Sequence, residues 1–181
     1  MKTVAIDRSV TSFAECHDGA WFERLDLADA DRILVGTGPG SFAGIRSAIA
    51  FAQGYALGKG GQVEVLGIPS PAALAGEGVA QAVVGDARQG KFWLALFDGF
   101  RLVAPIFQVE ALDLEKRVPR NMTVVSPDDA RIGEKLRETF DTRYLGLAVP
   151  TAEGLLRAAA RNPALCSIDP APIYLNPAVR S

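Results

Sequence analysis

Gly36-Thr37-Gly38-Pro39-Gly40-Ser41-Phe42-Ala43-Gly44-Ile45-Arg46 follows the apolar run Ile33-Leu34-Val35. A strand, a glycine-rich turn and a helix start thus succeed one another without a linker. A junction of this kind presents backbone amides at a helix N-terminus, where an anion can sit. It also lets helix and strand approach closely. Neither common nucleotide fingerprint is met. Gly36, Gly38 and Gly40 alternate and position 41 is Ser, so G-x-G-x-x-G fails. Gly54 to Lys59 gives G-x-x-x-G-K followed by Gly60, with the wrong spacing and no hydroxyl for a P-loop. From the residues alone two readings stand: an anion or nucleotide loop on Gly38, Gly40 and Ser41, or a close-packed turn.

Ser41 is a candidate N-cap, and Phe42 opens a helix running to about Lys59. Its apolar positions Phe42, Ile45, Ile49, Ala52 and Ala56 follow i, i+3, i+4 spacing. The remaining positions are small: Ala43, Gly44, Ser47, Ala48, Ala50 and Gly54. Small residues let helix axes come near the lower end of the usual ~8–10 Å separation. Such a surface suits either docking to another molecule or wedging into the chain's own sheet. Gly58, Gly60 and Gly61 end the helix.

Upstream, Thr3 to Asp7 reads as a buried strand ending in a carboxylate. Thr11 to Cys16 and Ala20 to Leu27 read as two further strands around a His17-Asp18-Gly19 turn. Only Ala28 to Asp31 separates the last of these from the strand Arg32 to Gly36, which is room for a turn and not a helix. Downstream come a strand over Val63 to Gly67 and a short helix Pro71 to Ala75, capped by Ser70 with proline first. A second strand group follows: Ala80 to Asp86, Lys91 to Phe97 and Arg101 to Val109. A strand near Thr123 to Val125, a charged helix Pro127 to Phe140, a strand near Tyr144 and a helix Thr151 to Arg161 complete the pattern. Strand groups joined by helical crossovers predict two related α/β lobes, residues 1–78 and 79–181.

Composition excludes several classes. The chain has 181 residues, 49% hydrophobic, and a net charge of −2, so a core is affordable and a global basic footprint for nucleic acid is absent. Cys16 and Cys166 stand far apart, which points to a reducing compartment rather than a stapled fold. The opening Met1-Lys2-Thr3 does not read as a leader, and no apolar run approaches the ~18–20 residues that span a bilayer, so a cytoplasmic protein is expected. His17 is the one histidine, and no G-x-S-x-G elbow accompanies the serines. Neither a zinc site nor a hydrolase triad can be assembled, and no catalytic or metal-ligating residue is assigned. Asp7 at a strand end and Asp86 in Asp86-Ala87-Arg88 read two ways. Each places a carboxylate near a phosphate-bound metal, or each simply holds its own turn.

Together these segments resemble the TsaB (YeaZ) family, the non-catalytic partner in bacterial synthesis of threonylcarbamoyladenosine on tRNA. The family motif G-x-GPGSFTG-[IV]-R is matched by Gly36 to Arg46, with Ala43 for the usual Thr, and A-Q-G-[LY]-A by Ala52-Gln53-Gly54-Tyr55-Ala56. Ala5-Ile6-Asp7-Arg8-Ser9, Gly67-Ile68-Pro69-Ser70, Asp86-Ala87-Arg88 and Pro172-Ile173-Tyr174-Leu175-Asn176 resemble further family segments in the same order. The resemblance implies a two-lobed actin-like fold of the ASKHA (ribonuclease H-like) superfamily. It implies no intrinsic catalysis, in spite of the family's glycoprotease-like label. It also implies docking to a TsaD-type catalytic subunit through Phe42, Ile45, Arg46, Ile49, Gln53 and Gly54. A TsaE-type ATPase joins such assemblies, tRNA is met only through the complex, and homodimers form when the partner is absent. The isolated chain is expected to need no cofactor, with ATP or ADP and Mg confined to the assembly. Two departures stand out. Ala28 to Asp31 replaces a long helix that would flank the docking helix, and Arg8 replaces a small hydroxyl. The alternatives are a small ASKHA-type ATP-binding enzyme using Asp7, the glycine turn and Asp86, or a self-associating homodimeric protein.

Overall fold

The computed structural model describes residues 1–10 and 27–175. The strands expected over Thr11 to Cys16 and most of Ala20 to Leu27, the His17 turn and Asn176 lie outside the described residues. Among the described residues, β1 (Thr3–Ile6), β2 (Arg32–Gly36) and β3 (Glu64–Ile68) form a parallel sheet in the order β1-β2-β3. Register runs Ile6 beside Val35 and Gly36 beside Ile68, so Asp7, Thr37 and Pro69 leave the sheet together at the C-terminal ends of its strands. Between β1 and β2, Ala28 to Asp31 is a turn, with the Ala30 amide donating to Leu27 O and Asp29 at φ 56°.

Helix α1 (Phe42–Gly58) crosses one face of this sheet. Its alanine-rich interior favours helix, and it starts where the Ser41 hydroxyl accepts from the Gly44 amide at 3.3 Å. It stops where Gly60 and Gly61 turn to φ 67° and 76°. Ile45, Ala48, Ile49, Ala52 and Ala56 pack there on Ile6, Ile33, Val35 and Val63.

The second sheet contains β4 (Ala80–Arg88), β5 (Lys91–Asp98), β6 (Arg101–Leu102), β7 (Phe107–Glu110), β8 (Thr123–Ser126) and β9 (Tyr144–Leu147). Its order is β6-β5-β4-β8-β9, with β7 also on β5. The single strand expected over Arg101 to Val109 is thus two. Pro105 has no amide to donate, so the ladder breaks before it and rejoins β5 at Phe107 beside Leu94. The short helix α2 (Leu114–Arg117) and α3 (Asp129–Phe140) cover one face, with Leu114, Leu136 and Phe140 against Val84, Leu94 and Val124. Helix α3 begins at Asp129, two residues later than read from the pattern.

Helix α4 (Ala152–Arg161) returns to the first sheet, lying on β1 and on the 3-10 segment Ser70–Leu74. Leu155 and Ala158 join Ala5, Leu34 and Ile68 of the first sheet and Val83, Trp93 and Phe97 of the second in one core. Each large apolar side chain buried there contributes roughly 1.5–3 kcal/mol. The chain after α4 turns along the open edge of β3, where Gly67 and Ser167 exchange both backbone hydrogen bonds at 2.8 Å. No described helix is long and apolar enough to cross a membrane.

Candidate functional site

The glycine turn is packed against its own chain. The Thr37 amide donates to Ile68 O at 2.9 Å, the Gly38 amide to Ser70 Oγ at 3.0 Å, and the Ser41 amide to Ser9 O at 2.6 Å. The Gly44 amide meets Ser41 Oγ, as noted, and the Gly38–Pro39 peptide is cis. Gly40 lies at φ 153°, and a Cβ there would overlap Ser9 O and stand 2.8 Å from Ser9 C. A Cβ on Gly44 would overlap Arg8 O. These glycines let the segment after β1 lie directly on the turn and the start of α1. With these amides engaged inside the fold, the geometry favours the close-packed reading over an anion cradle.

Asp7 makes an Asx turn: Oδ1 accepts from the Ser9 amide at 2.9 Å and from Ser9 Oγ at 2.6 Å. Its Oδ2 is sealed from solvent without a hydrogen bond, in the space that a Cβ on Gly36 would fill. Burial pushes the Asp7 carboxyl above the ordinary carboxylate range, while the Ser70 and Ser9 hydroxyls and the Ser9 amide pull it back. The expected capping role of Ser70 is corrected here. The 3-10 segment starts without a side-chain cap, and the buried Ser70 hydroxyl serves the Gly38 amide instead. Asp86 lies at a bulge of β4, away from this cluster in its bonding. Its Oδ1 accepts from the Arg88 amide at 2.7 Å, and Oδ2 faces Arg88 Nη1 at 3.4 Å and Arg131 Nε at 3.5 Å. Its own amide donates to Asp128 Oδ2 at 2.9 Å. These partners belong to the second sheet, to α3 and to Asp128 at the head of α3.

The docking residues expected from the resemblance separate onto two faces of α1. Ile45 and Ile49 are 3% and 6% exposed; they anchor the helix to the sheet and do not face outward. Phe42, Arg46, Gln53 and Gly54 do face outward, together with Ala43, Ser47, Ala50, Leu57 and Gly58. The reason is the 100° step of the helix, which sets 43, 47, 54 and 58 opposite 45, 49, 52 and 56, and 42, 46, 53 and 57 on the flank between them. The apolar spacing of 45, 49, 52 and 56 marks the side that meets the sheet, whereas the resemblance placed Ile45 and Ile49 among the docking residues. Among the described residues, no atom outside the helix's own backbone lies within 4 Å of a Cβ built on Gly54 or Gly58. At the entrance of α1, the Arg46 guanidinium lies 5.0 Å from the Phe42 ring centre. The Tyr174 ring stands 5.6 Å from Phe42 at 41°.

Two residues at this site carried no clear signal. Ser70 and Gly38 are 32 positions apart, and nothing in the sequence joins them. Tyr174 sat in a motif but had no neighbour until the tail folded back. Cys166 is half-buried, and burial raises its thiol pKa, while Cys16 and His17 lie outside the described residues. Among the described residues no three His, Cys, Asp or Glu side chains gather as a metal site.

A model of the family TsaD, tRNA N6-adenosine threonylcarbamoyltransferase, matches residues 20–113, just over half of the chain. The uncharacterized proteins Mb3455c of Mycobacterium bovis and Rv3421c of Mycobacterium tuberculosis are each 40% identical to it over 91 residues. Those matches span 48% of this chain and 41% of each relative, so the chain spans about two fifths of the length of these curated relatives. A crystal structure of an uncharacterized protein with similarity to peptidase YEAZ from Pseudomonas aeruginosa superposes with a TM-score of 0.66 at 20% identity, covering 96% of this chain and 99% of that one. YeaZ from Pseudomonas aeruginosa gives 0.65 at 20% identity, covering 94% and 99%. At that identity the likeness concerns the fold, which is the actin-like α/β architecture expected above. The chain belongs to the TsaD (glycoprotease-like) family and has the fold of its YeaZ (TsaB) members.

Proposed function

We propose that this chain is a non-catalytic subunit that binds and stabilises a TsaD-type ligase in the biosynthesis of N6-threonylcarbamoyladenosine on tRNA. The observation that carries the reading is the outward face of α1: small residues at 43, 47, 50, 54 and 58, with open space above both glycines. A helix of the partner can approach this face closely. Support also comes from the glycine turn, where the Thr37, Gly38 and Ser41 amides are engaged within the fold. In this reading the isolated chain takes no cofactor, and nucleotide with Mg belongs to the assembly. A TsaE-type ATPase joins that assembly, tRNA is met through it, and the setting is cytoplasmic. Self-association is the weaker state adopted without the partner.

A helix of 17 residues is ~25 Å long and supplies only part of an interface of ~1,600 Å². Because a turn at Ala28 to Asp31 stands where the resemblance implies a flanking helix in family members, other segments must complete the surface. The test is co-purification and calorimetry with the TsaD-type subunit of the same organism. Association at micromolar concentration is expected for the native chain and lost in Gly54→Leu, whose side chain holds the helices apart. A native chain that does not associate overturns the reading.

A further inference from the structure

We propose that the C-terminal segment Ser167 to Leu175 is a strap that carries Tyr174 into the docking surface, making Phe42, Arg46 and Tyr174 its anchor. The proposal rests on the docking reading of α1 and names a second element of that surface and the chemistry of its partner.

The strap is held at successive points as it rounds the edge of β3 from the α4 face to the α1 face. Ser167 pairs with Gly67 through two 2.8 Å hydrogen bonds. Pro170 is buried over Gly67, where a Cβ would stand 2.9 Å from Pro170 Cα, so the glycine is what admits the strap. The Ile173 amide then donates to Thr37 O at 2.8 Å, beside the glycine turn. These contacts set the position of the next residue, Tyr174, against Phe42. Prolines at 170 and 172 reduce the freedom of the free tail and lower the entropic cost of holding it there.

The exposures decide between a strap that hides the docking face and one that extends it. Phe42 remains 57% exposed and Tyr174 56% exposed, so neither ring covers the other. They present on the order of 200 Å² of aromatic surface to solvent, with the Arg46 guanidinium at its border. Tyr and Arg are the residue types that dominate binding energy at interface centres. Helix α1 contains no Asp or Glu, so the α1 of a second copy has no carboxylate to offer Arg46. Charge complementarity therefore selects a partner that brings an acidic residue against Arg46 beside an apolar contact for the two rings.

Calorimetric titration with the TsaD-type subunit tests this, using Tyr174→Ala, Tyr174→Phe, Arg46→Glu and the Gly54→Leu control. Circular dichroism establishes that each variant is folded. Expected results are roughly tenfold weaker binding for Tyr174→Ala, near-native binding for Tyr174→Phe, and a loss for Arg46→Glu at least as large as that for Tyr174→Ala. If Gly54→Leu abolishes binding while Tyr174→Ala and Arg46→Glu bind like the native chain, the strap proposal falls and the docking reading survives. If the native chain does not bind, both fall. Tyr174→Ala that changes only the sedimentation of the isolated chain makes the occupant a second copy and overturns the partner assigned here.

Discussion

The same substitution, Gly to Ala, should have opposite signs at two helical positions, Gly54 and Gly154. Replacing glycine by alanine inside a helix gains about 0.8–1.0 kcal/mol, because the chain loses less freedom on folding. At Gly54 a new Cβ meets nothing within 4 Å, so that gain is expected in full. In a chain of this length about 1 kcal/mol corresponds to a rise of roughly 2–4 °C in Tm. At Gly154 the same atom overlaps the Ala73 carbonyl oxygen and stands 2.9 Å from Ala73 Cβ and 3.0 Å from Ala73 C. That carbonyl is backbone, is fixed in the 3-10 segment beneath α4, and also accepts from Arg157 Nη2 at 3.2 Å. It has no rotamer into which to escape. Overpacking costs typically about 1–3 kcal/mol, and a backbone obstacle places this site at the upper end. A cost of about 3 against a gain of at most about 1 leaves a net loss near 2 kcal/mol, or roughly 4–8 °C. Thermal melts followed by far-UV circular dichroism at low micromolar concentration read both shifts. If Gly154→Ala is neutral or raises Tm as Gly54→Ala does, the seating of α4 on the 3-10 segment is wrong, and with it the assignment of buried and open helix faces.

Two further outcomes concern the turn cluster. Ser70→Ala removes the acceptor of the buried Gly38 amide, and an unsatisfied buried donor costs about 1–3 kcal/mol. Urea midpoints should fall accordingly, and amide exchange should accelerate at Gly38. Acceleration confined to Ala72 to Ala75 would instead mean that Ser70 acts as a helix cap. Asp7→Asn should flatten the pH dependence of stability. The folded chain holds the Asp7 proton more tightly than the unfolded chain does, so the contribution is complete below the ordinary value of 3.8 and is lost as pH rises through the elevated folded value. Urea denaturation from acidic to neutral pH compares the two profiles; parallel curves for native and variant chains would refute the burial of Asp7.

Much of the architecture is legible in the chain because local rules agree there. The α1 boundaries follow from Ser41 at one end and the glycines after Tyr55 at the other, and the structure moves the end by a single residue, to Gly58. The turn at Ala28 to Asp31 was readable because four residues leave no room for a helix. The break of the strand after Leu102 was also within reach, since Pro105 lacks an amide, but the apolar pattern on both sides concealed it. The docking role given to Ile45 and Ile49 came from the resemblance, whereas their apolar spacing with Ala52 and Ala56 marks the side of α1 that meets β1 and β2.

By itself the sequence determined the α/β class, the glycine turn at the head of α1, and the absence of a complete nucleotide fingerprint. Those are properties of neighbours along the chain: spacing, caps and turn residues act within a few positions. The packing of the turn was decided by tertiary structure alone. Ser9 and Ser70, distant from it in sequence, supply the acceptors that engage its amides, and Gly40 and Gly44 prove to be points of contact with the segment after β1. The pairing of Phe42 with Tyr174 was decided in the same way, because Tyr174 reaches Phe42 only after the chain has closed around the edge of β3. Contacts of that separation depend on where the sheet and helices settle, and local sequence carries no record of it.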